Sequence, residues 1–259
     1  MAYWEWGDPS NRRVLVCVHG LSRQGRDFDT LARDLCSTWR VVCPDVVGRG
    51  RSDWLADPMG YAIPAYVADM VTLLARLDAD SVDWVGTSMG GLIGMLVAAL
   101  PHSPVRRLVL NDVGPVLQAQ ALARIGTYLG VPVRFKDLNE AADQLWLISQ
   151  GFGPHTREQW LALTEPQIVP DGQGAFKPHY DPAIAVPFRA ITPELAAAGE
   201  AGLWQAFDAI TCPTLLLRGA ESDLLTSQTA EAMAARGPRP RVHEFPGVGH
   251  APMLVQPDQ

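Results

Sequence analysis

A short glycine-rich segment in the middle of the chain restricts the fold more than any other feature. Residues 82–85 form an apolar run that predicts a buried strand, and residues 92–100 form a run that is apolar on every side. A run of the second kind predicts a helix at the centre of the fold, and Pro101 ends it. Between the two runs, Gly86-Thr87-Ser88-Met89-Gly90 fits the pattern Gly-x-Ser-x-Gly, in which the serine lies on a sharp turn from strand to helix. The small flanking residues let the strand and the helix approach each other closely.

The rest of the chain alternates between predicted strands and predicted helices. Such alternation predicts an α/β fold with a mostly parallel central sheet and helices on both faces. The predicted strands lie at 14–18, 40–43, 82–85, 107–111, 214–217 and 241–245, and the predicted helices at 28–35, 65–77, 92–100 and 226–236.

The alternation stops between residues 115 and 208. This segment holds several prolines, tryptophans and phenylalanines and is too long for a loop in a compact domain. We therefore predict a helical cap, or lid, at residues 115–208. The α/β core is then formed by residues 1–114 and 209–259.

Composition disfavours several classes of function. The 259 residues carry a formal net charge of −7, which argues against nucleic acid and anionic membranes as partners. No apolar run reaches membrane-spanning length, and the N-terminal residues lack the apolar core of a signal peptide. The cysteines form no CxxC pair, so we expect free thiols and a cytoplasmic protein. Because the chain has no metal-ligand spacing and no phosphate-binding or dinucleotide loop, we predict no metal and no cofactor.

The chain resembles the α/β-hydrolase superfamily over nearly its whole length. The motifs that carry the resemblance occur in the order of that superfamily: His19-Gly20, DVVGRGRSD at 45–53, GTSMGG at 86–91, Asp223 after a predicted strand, and Gly249-His250. The resemblance implies a serine nucleophile, an acid and a histidine, in that chain order. The Ser-Met-Gly-Gly turn is similar to that of small bacterial carboxylesterases, enol-lactonases, carbon–carbon bond hydrolases and cofactor-free perhydrolases.

Three residues are the candidates for this triad. Ser88 is the predicted nucleophile and His250 the predicted base, because a serine hydroxyl needs an adjacent base to react at neutral pH. The third member orients the imidazole and stabilises its cation. We predict Asp223 for this role, since it follows the strand at 214–217. Asp112, which follows the strand at 107–111, is the alternative, because some members of the superfamily place the acid there.

The resemblance also implies an oxyanion hole made by two backbone N–H groups. They belong to the residue after the nucleophile, Met89, and to the residue after His19-Gly20, Leu21. Donors of this kind stabilise the negative charge that develops on the substrate oxygen. His19 itself is expected to be structural and to hold the loop that starts at Gly20.

The predicted activity is the hydrolysis of carboxylic esters with small to medium acyl chains through an acyl-enzyme. Serine at the nucleophile position disfavours dehalogenases and epoxide hydrolases of similar fold, which use aspartate. A lactonase, a carbon–carbon bond hydrolase or a perhydrolase with the same triad stays open. A protein that keeps the fold and binds a ligand without catalytic turnover stays open as well.

The expected partner is a small-molecule ester or lactone, and the expected state is a monomer or a homodimer. The candidate pocket residues are Arg23, Trp146, Phe152 and Trp160. Arg23 could hold a substrate carboxylate, and the three aromatic residues belong to the predicted cap.

Overall fold

A seven-stranded sheet forms the centre of the computed structural model, which describes the backbone of residues 1–259 and the side chains of residues 1–192 and 194–259. The strands of the chain are β1 (Tyr3–Trp6), β2 (Val14–Val18), β3 (Arg40–Pro44), β4 (Val82–Thr87), β5 (Val105–Asn111), β6 (Ile168–Pro170), β7 (Phe176–Pro178), β8 (Thr214–Gly219) and β9 (Arg241–Phe245). The central sheet has the order β1-β3-β2-β4-β5-β8-β9, and β6 and β7 form a separate pair.

All neighbouring strands of the central sheet run parallel except β1, which pairs antiparallel with β3. The prediction of a mostly parallel sheet is therefore confirmed. The edge strand β1 was not predicted, because its sequence, YWEW, is short and carries a charge. Parallel pairing brings the carboxyl ends of β4, β5 and β8 to one edge of the sheet, where ligands bind in open α/β folds.

Nine α-helices accompany the strands in the described backbone. They are α1 (Asp29–Leu35), α2 (Ile63–Arg76), α3 (Met89–Ala98), α4 (Ala119–Tyr128), α5 (Leu138–Ser149), α6 (Arg157–Thr164), α7 (Ala185–Arg189), α8 (Pro193–Ala209) and α9 (Ser227–Ala235). The helices predicted from periodicity correspond to α1, α2, α3 and α9. Within the residues that the structure describes, none of the helices is both long enough and apolar enough to cross a membrane.

Two apolar clusters cover the two faces of the central sheet. Alternate residues of one strand point to opposite faces, and in β2 Val14, Val16 and Val18 join one cluster while Leu15 and Cys17 join the other. The larger cluster also takes residues from α2, α3 and α8, and the smaller one takes residues from α1. Helices therefore lie on both faces, as predicted.

Residues 115–208 contain α4 to α7, most of α8 and the β6–β7 pair. Trp160 and Leu163 of α6 form a small apolar cluster with Ala142 and Met253. In contrast, Phe207 of α8 is fully buried in the large cluster against the sheet. The division into a core and a cap at 115 and 208 stays a prediction.

Candidate active site

Ser88 lies on the sharp turn between β4 and α3. Its backbone has φ +52° and ψ −116°, a conformation that L-residues rarely adopt. The turn depends on two glycines. A Cβ on Gly86 would lie 2.3 Å from the carbonyl oxygen of Gly90, and a Cβ on Gly90 would lie 2.0 Å from that of Val18. Any side chain at either position would therefore push α3 away from the sheet.

A continuous hydrogen-bonded chain joins Ser88, His250 and Asp112. The Nε2 atom of His250 lies 3.0 Å from Oγ of Ser88, and its Nδ1 atom lies 2.6 Å from Oδ2 of Asp112. The three residues follow β4, β9 and β5, respectively. The structure thus brings together the predicted nucleophile, the predicted base and the alternative acid.

Asp112 is held rigidly at the end of β5. It is fully buried, and its backbone N–H donates to the carbonyl of Leu217 on the neighbouring strand β8. Its Oδ1 accepts from the backbone N–H of Gly219 at 2.8 Å, and its Oδ2 accepts from the hydroxyl of Ser222 at 2.6 Å. Both carboxylate oxygens are therefore held by partners other than His250, which suits a group that orients an imidazole.

The prediction that Asp223 orients His250 is wrong. Asp223 is not the hydrogen-bond partner of the histidine and instead forms a two-bond ion pair with Arg124, at 2.8 and 2.9 Å. Its side chain is 47% exposed. The physical reason lies one residue earlier. Ser222 donates to Asp112, so the loop after β8 supports the buried carboxylate and turns the next side chain towards solvent.

The segment that carries His250 packs against the end of β8. A Cβ on Gly219 would lie 2.0 Å from the carbonyl oxygen of Gly249, so glycine is required for this approach. The backbone N–H of Gly249 donates to the carbonyl of Gly151, which lies in residues 115–208, the segment we call the insertion. The side chain of Asn111 donates to the carbonyl of Pro252. These contacts place the imidazole between the ends of β4 and β5.

Leu21 and Met89, the predicted oxyanion donors, both lie beside Ser88. Met89 is the first residue of α3, so its N–H has no carbonyl one turn earlier in the helix to bind. The helix N-terminus also carries a partial positive charge. Leu21 lines the same cavity as Ser88, and a Cβ on Gly20 would lie 3.8 Å from that of Ser88. The role of these two N–H groups stays a prediction.

A buried arginine supports both of these residues, a role that the sequence did not indicate. Arg49 is fully buried, and its Nε donates to the carbonyl of Leu21 at 2.8 Å. It also donates to the hydroxyl of Tyr66 at 2.9 Å and approaches the sulfur of Met89 at 3.6 Å. Burial lowers the pKa of its guanidinium. Among the described side chains, no carboxylate lies within ion-pair distance of Arg49, so its guanidinium faces carbonyl and hydroxyl oxygens instead.

His19 has the structural role that the sequence predicted. It is fully buried, its Nε2 accepts from the backbone N–H of Val46 at 3.0 Å, and its Nδ1 lies 2.7 Å from the carbonyl oxygen of Gly20. Burial lowers its pKa to about 3. The ring is therefore neutral at physiological pH and ties the loop after β2 to the loop after β3.

Two cavities meet at Ser88. The first, which we call the polar arm, has a volume of about 290 Å³, and the charged or titratable residues in its wall are Arg23, Asp27, Arg124, Tyr128, Tyr180 and His250. The second, which we call the apolar arm, has a volume of about 280 Å³ and is lined mainly by aliphatic and aromatic side chains, among them Tyr61, Tyr66, Met89, Leu92, Ile184 and Phe188. Leu21, Ser88 and Ile125 line both arms.

The four predicted pocket residues divide into two pairs. Arg23 and Phe152 line the polar arm. Arg23 is not free to bind a ligand, because it forms two hydrogen bonds to Asp27, at 2.7 and 2.6 Å, and only 13% of its side chain is exposed. Burial raises the pKa of Asp27, against the effect of its arginine partner.

The prediction that Trp146 and Trp160 line the pocket is wrong, because neither forms part of the wall of either arm. Trp160 is buried, and its indole N–H donates to the carbonyl of Ala142 at 2.7 Å. Trp146 packs edge-on against it, with ring centroids 5.1 Å apart. The two tryptophans hold α5 and α6 together behind the cavity.

The fold and this arrangement of side chains define a hydrolase with a serine on a strand-to-helix turn. Comparison with known proteins agrees: the chain belongs to the alpha/beta hydrolase family, whose family model matches residues 15–259.

Individual relatives cover nearly the whole chain. This chain is 60% identical over 263 residues to the 3-hydroxybutyrate-oligomer hydrolase of Cupriavidus necator, and the match covers 100% of this chain and 89% of that protein. It is 28% identical to the esterase YbfF of Escherichia coli, covering 96% of this chain and 90% of that protein. Among solved structures, an α/β hydrolase from Novosphingobium aromaticivorans is 38% identical with a TM-score of 0.87, covering 99% of this chain and 89% of that one.

Proposed function

We propose that this protein is a serine ester hydrolase that cleaves the ester bonds of short 3-hydroxybutyrate oligomers through an acyl-enzyme intermediate. The chemistry rests on one observation, the continuous contact of Ser88, His250 and Asp112. The substrate class rests on the 60% identity to an oligomer hydrolase over the full length of this chain.

In the first half of the reaction, Oγ of Ser88 attacks the ester carbonyl carbon while Nε2 of His250 takes the hydroxyl proton. Asp112 accepts the Nδ1–H of the same ring, which leaves the lone pair on Nε2 directed at the serine. The carbonyl electrons move to the oxygen, whose negative charge the N–H groups of Leu21 and Met89 stabilise. When the carbon–oxygen bond breaks, the proton passes from Nε2 to the leaving alcohol.

In the second half, water attacks the acyl-enzyme with His250 again as the base. The new acid leaves when the bond to Oγ of Ser88 breaks and the serine regains its proton. The buried carboxylate of Asp112 stabilises the imidazolium in both halves of the reaction.

The size of the cavity supports short substrates. The two arms, of about 290 and 280 Å³, each lie just below the range typical of small-molecule sites, which begins at about 300 Å³. Ser88 lines both arms, which suits a substrate that has chain on both sides of the scissile bond.

The direct test is to incubate the purified protein with linear 3-hydroxybutyrate dimer and trimer and to follow the products by liquid chromatography and mass spectrometry. We expect monomer to accumulate, no turnover by Ser88→Ala, and the adduct of a serine-directed phosphonate on Ser88. p-Nitrophenyl butyrate and a lactone panel are assayed in parallel. Turnover of lactones or p-nitrophenyl esters with intact oligomers would disprove the substrate class, and an active Ser88→Ala variant would disprove the mechanism.

A further inference from the structure

The two arms differ in a way that assigns a direction to the substrate. The wall of the polar arm includes His250, and that of the apolar arm does not. The wall of the apolar arm includes Met89, the first residue of α3, and that of the polar arm does not. Because His250 must hand its proton to the leaving oxygen, the alcohol portion of an ester has to lie on the histidine side of Ser88.

The charges of the two walls differ as well. The wall of the polar arm carries two arginines, Arg23 and Arg124, against one carboxylate, Asp27. The wall of the apolar arm, taken over the described side chains, has no charged residue. A substrate carboxylate is strongly disfavoured in an apolar cavity without a partner, so the charged end of a substrate belongs in the polar arm.

The two arginines of the polar arm are not equivalent. Arg23 and its partner Asp27 are only 13% and 7% exposed, so breaking their pair would leave a buried charge without a partner. Arg124 and Asp223 are 42% and 47% exposed, and an exposed pair of this kind contributes little to stability. Asp223 is absent from the wall of the arm, whereas Arg124 forms part of it. The guanidinium of Arg124 can therefore bind a second carboxylate from the cavity at low cost.

We propose that the polar arm is a leaving-alcohol subsite in which Arg124 binds the free carboxylate of the substrate, and that the apolar arm is the acyl subsite. This proposal rests on the proposed ester hydrolysis. A 3-hydroxybutyrate oligomer has one hydroxyl end and one carboxylate end, and its carboxyl-terminal unit is always on the alcohol side of the last ester bond. Arg124 thus directs cleavage to bonds near the carboxyl end.

The test uses two matched substrates, the O-butyryl ester of 3-hydroxybutyrate and the same compound with its carboxylate converted to a primary amide. The measured quantity is the ratio of kcat/KM for the acid to kcat/KM for the amide. We expect the native protein to prefer the acid, and Arg124→Gln to lower the ratio about threefold to tenfold, as loss of a partly exposed charged contact implies.

The matched control is Arg157→Gln. Arg157 is 45% exposed, lies in the same insertion and pairs with Asp143 at 2.6 Å, but it is not part of either wall. The ratio should stay at its native value in this variant, and the melting temperature of both variants shows that they fold. A native ratio near one, or an equal fall in both variants, overturns the subsite.

A second arm of the experiment separates this proposal from the proposed function. p-Nitrophenyl monosuccinate places the carboxylate on the acyl side, and its kcat/KM should be far below that of p-nitrophenyl butyrate in every variant. Efficient turnover of the monosuccinate that depends on Arg124 would reverse the assignment of the arms. If the O-butyryl pair behaves as expected but hydroxybutyrate oligomers are not cleaved, the substrate class is wrong and the subsite stands.

Discussion

The carboxyl ends of the central strands, which we call the sheet edge, and the insertion contribute to the same cavity in different ways. At the sheet edge, the polar side chains are fixed by the backbone: Ser88 and Asp112 both have a positive φ, and both directly follow a strand. In the insertion, the aromatic residues are fixed by contacts with one another, as Trp146 and Trp160 are. The position of a residue of the first kind is set by the sheet, whereas that of a residue of the second kind is set by its packing neighbours.

This difference indicates which residues control the chemical step and which control substrate selectivity. A side chain that follows a buried strand can move only if the strand moves, so it can keep the short distances that proton transfer requires. The insertion supplies the rest of the wall, including Phe152 and Arg124. We therefore expect substitutions at the sheet edge to change kcat and substitutions in the insertion to change stability or selectivity.

The largest expected effect is at Asp112. Asp112→Asn should lower kcat about ten-thousand-fold, because the amide offers an N–H where His250 needs an acceptor and holds the ring in the wrong tautomer. The measurement is steady-state hydrolysis of p-nitrophenyl butyrate. A variant with kcat within tenfold of the native value would show that the buried carboxylate does not orient the base.

Trp160→Ala tests the insertion as a packed unit. We expect the variant to lose about 3–5 kcal/mol of stability, because a buried indole and its hydrogen bond to Ala142 are removed. The ranking of p-nitrophenyl esters from C2 to C12 should stay the same, because Trp160 does not line the cavity. Chemical denaturation gives the free energy, and a changed ranking at unchanged stability would contradict this division of roles.

Phe152→Ala is the matched variant on the cavity side. Phe152 is half-buried and lines the polar arm, so its truncation should favour bulkier leaving alcohols by about 1–3 kcal/mol in kcat/KM. The test compares butyrate esters of small and bulky alcohols. Equal changes for all of these alcohols would show that Phe152 acts on the fold and not on selectivity.

The lowered pKa of His19, which lies at the sheet edge, predicts that the free energy of unfolding depends on pH. Burial lowers the pKa of His19 in the folded protein to about 3, well below its ordinary value of 6.5. As the pH falls below 6.5, the unfolded chain binds a proton that the folded protein does not. The free energy of unfolding should therefore fall, with His19 contributing up to about 1.4 kcal/mol per pH unit.

The measurement is urea denaturation at pH 7, 6, 5 and 4, with His19→Asn as the reference. The variant is expected to be less stable at pH 7 but to lose less stability on acidification. His155 in the insertion also has a pKa lowered by burial and is present in both proteins, so it cancels in the difference. Parallel curves for the two proteins would mean that His19 does not control this dependence.

The smallest expected effect is at Asp223. Asp223→Asn removes an exposed ion pair with Arg124, so stability should change by less than about 1 kcal/mol. The kcat for p-nitrophenyl butyrate should stay within about threefold, because both carboxylate oxygens of Asp223 pair with Arg124 and His250 pairs with Asp112. A loss approaching that of Asp112→Asn would restore Asp223 to the site.

The sequence by itself determined the α/β fold and the turn at Ser88, and the resemblance of its motifs to a known superfamily indicated His250 as the base. Each of these depends on a local pattern: strand and helix periodicity, glycines that allow close backbone contact, and a motif read directly from the chain. Only the tertiary structure decided between Asp112 and Asp223, and between a wall and a core role for the aromatic residues of the insertion. Both carboxylates follow neighbouring strands, so the local pattern is equal for the two, and the choice depends on Ser222 and Gly219, which donate to Asp112 across the sheet. A tryptophan likewise has the same sequence signature whether it faces a cavity or a neighbouring helix, because burial alone does not say which surface covers it.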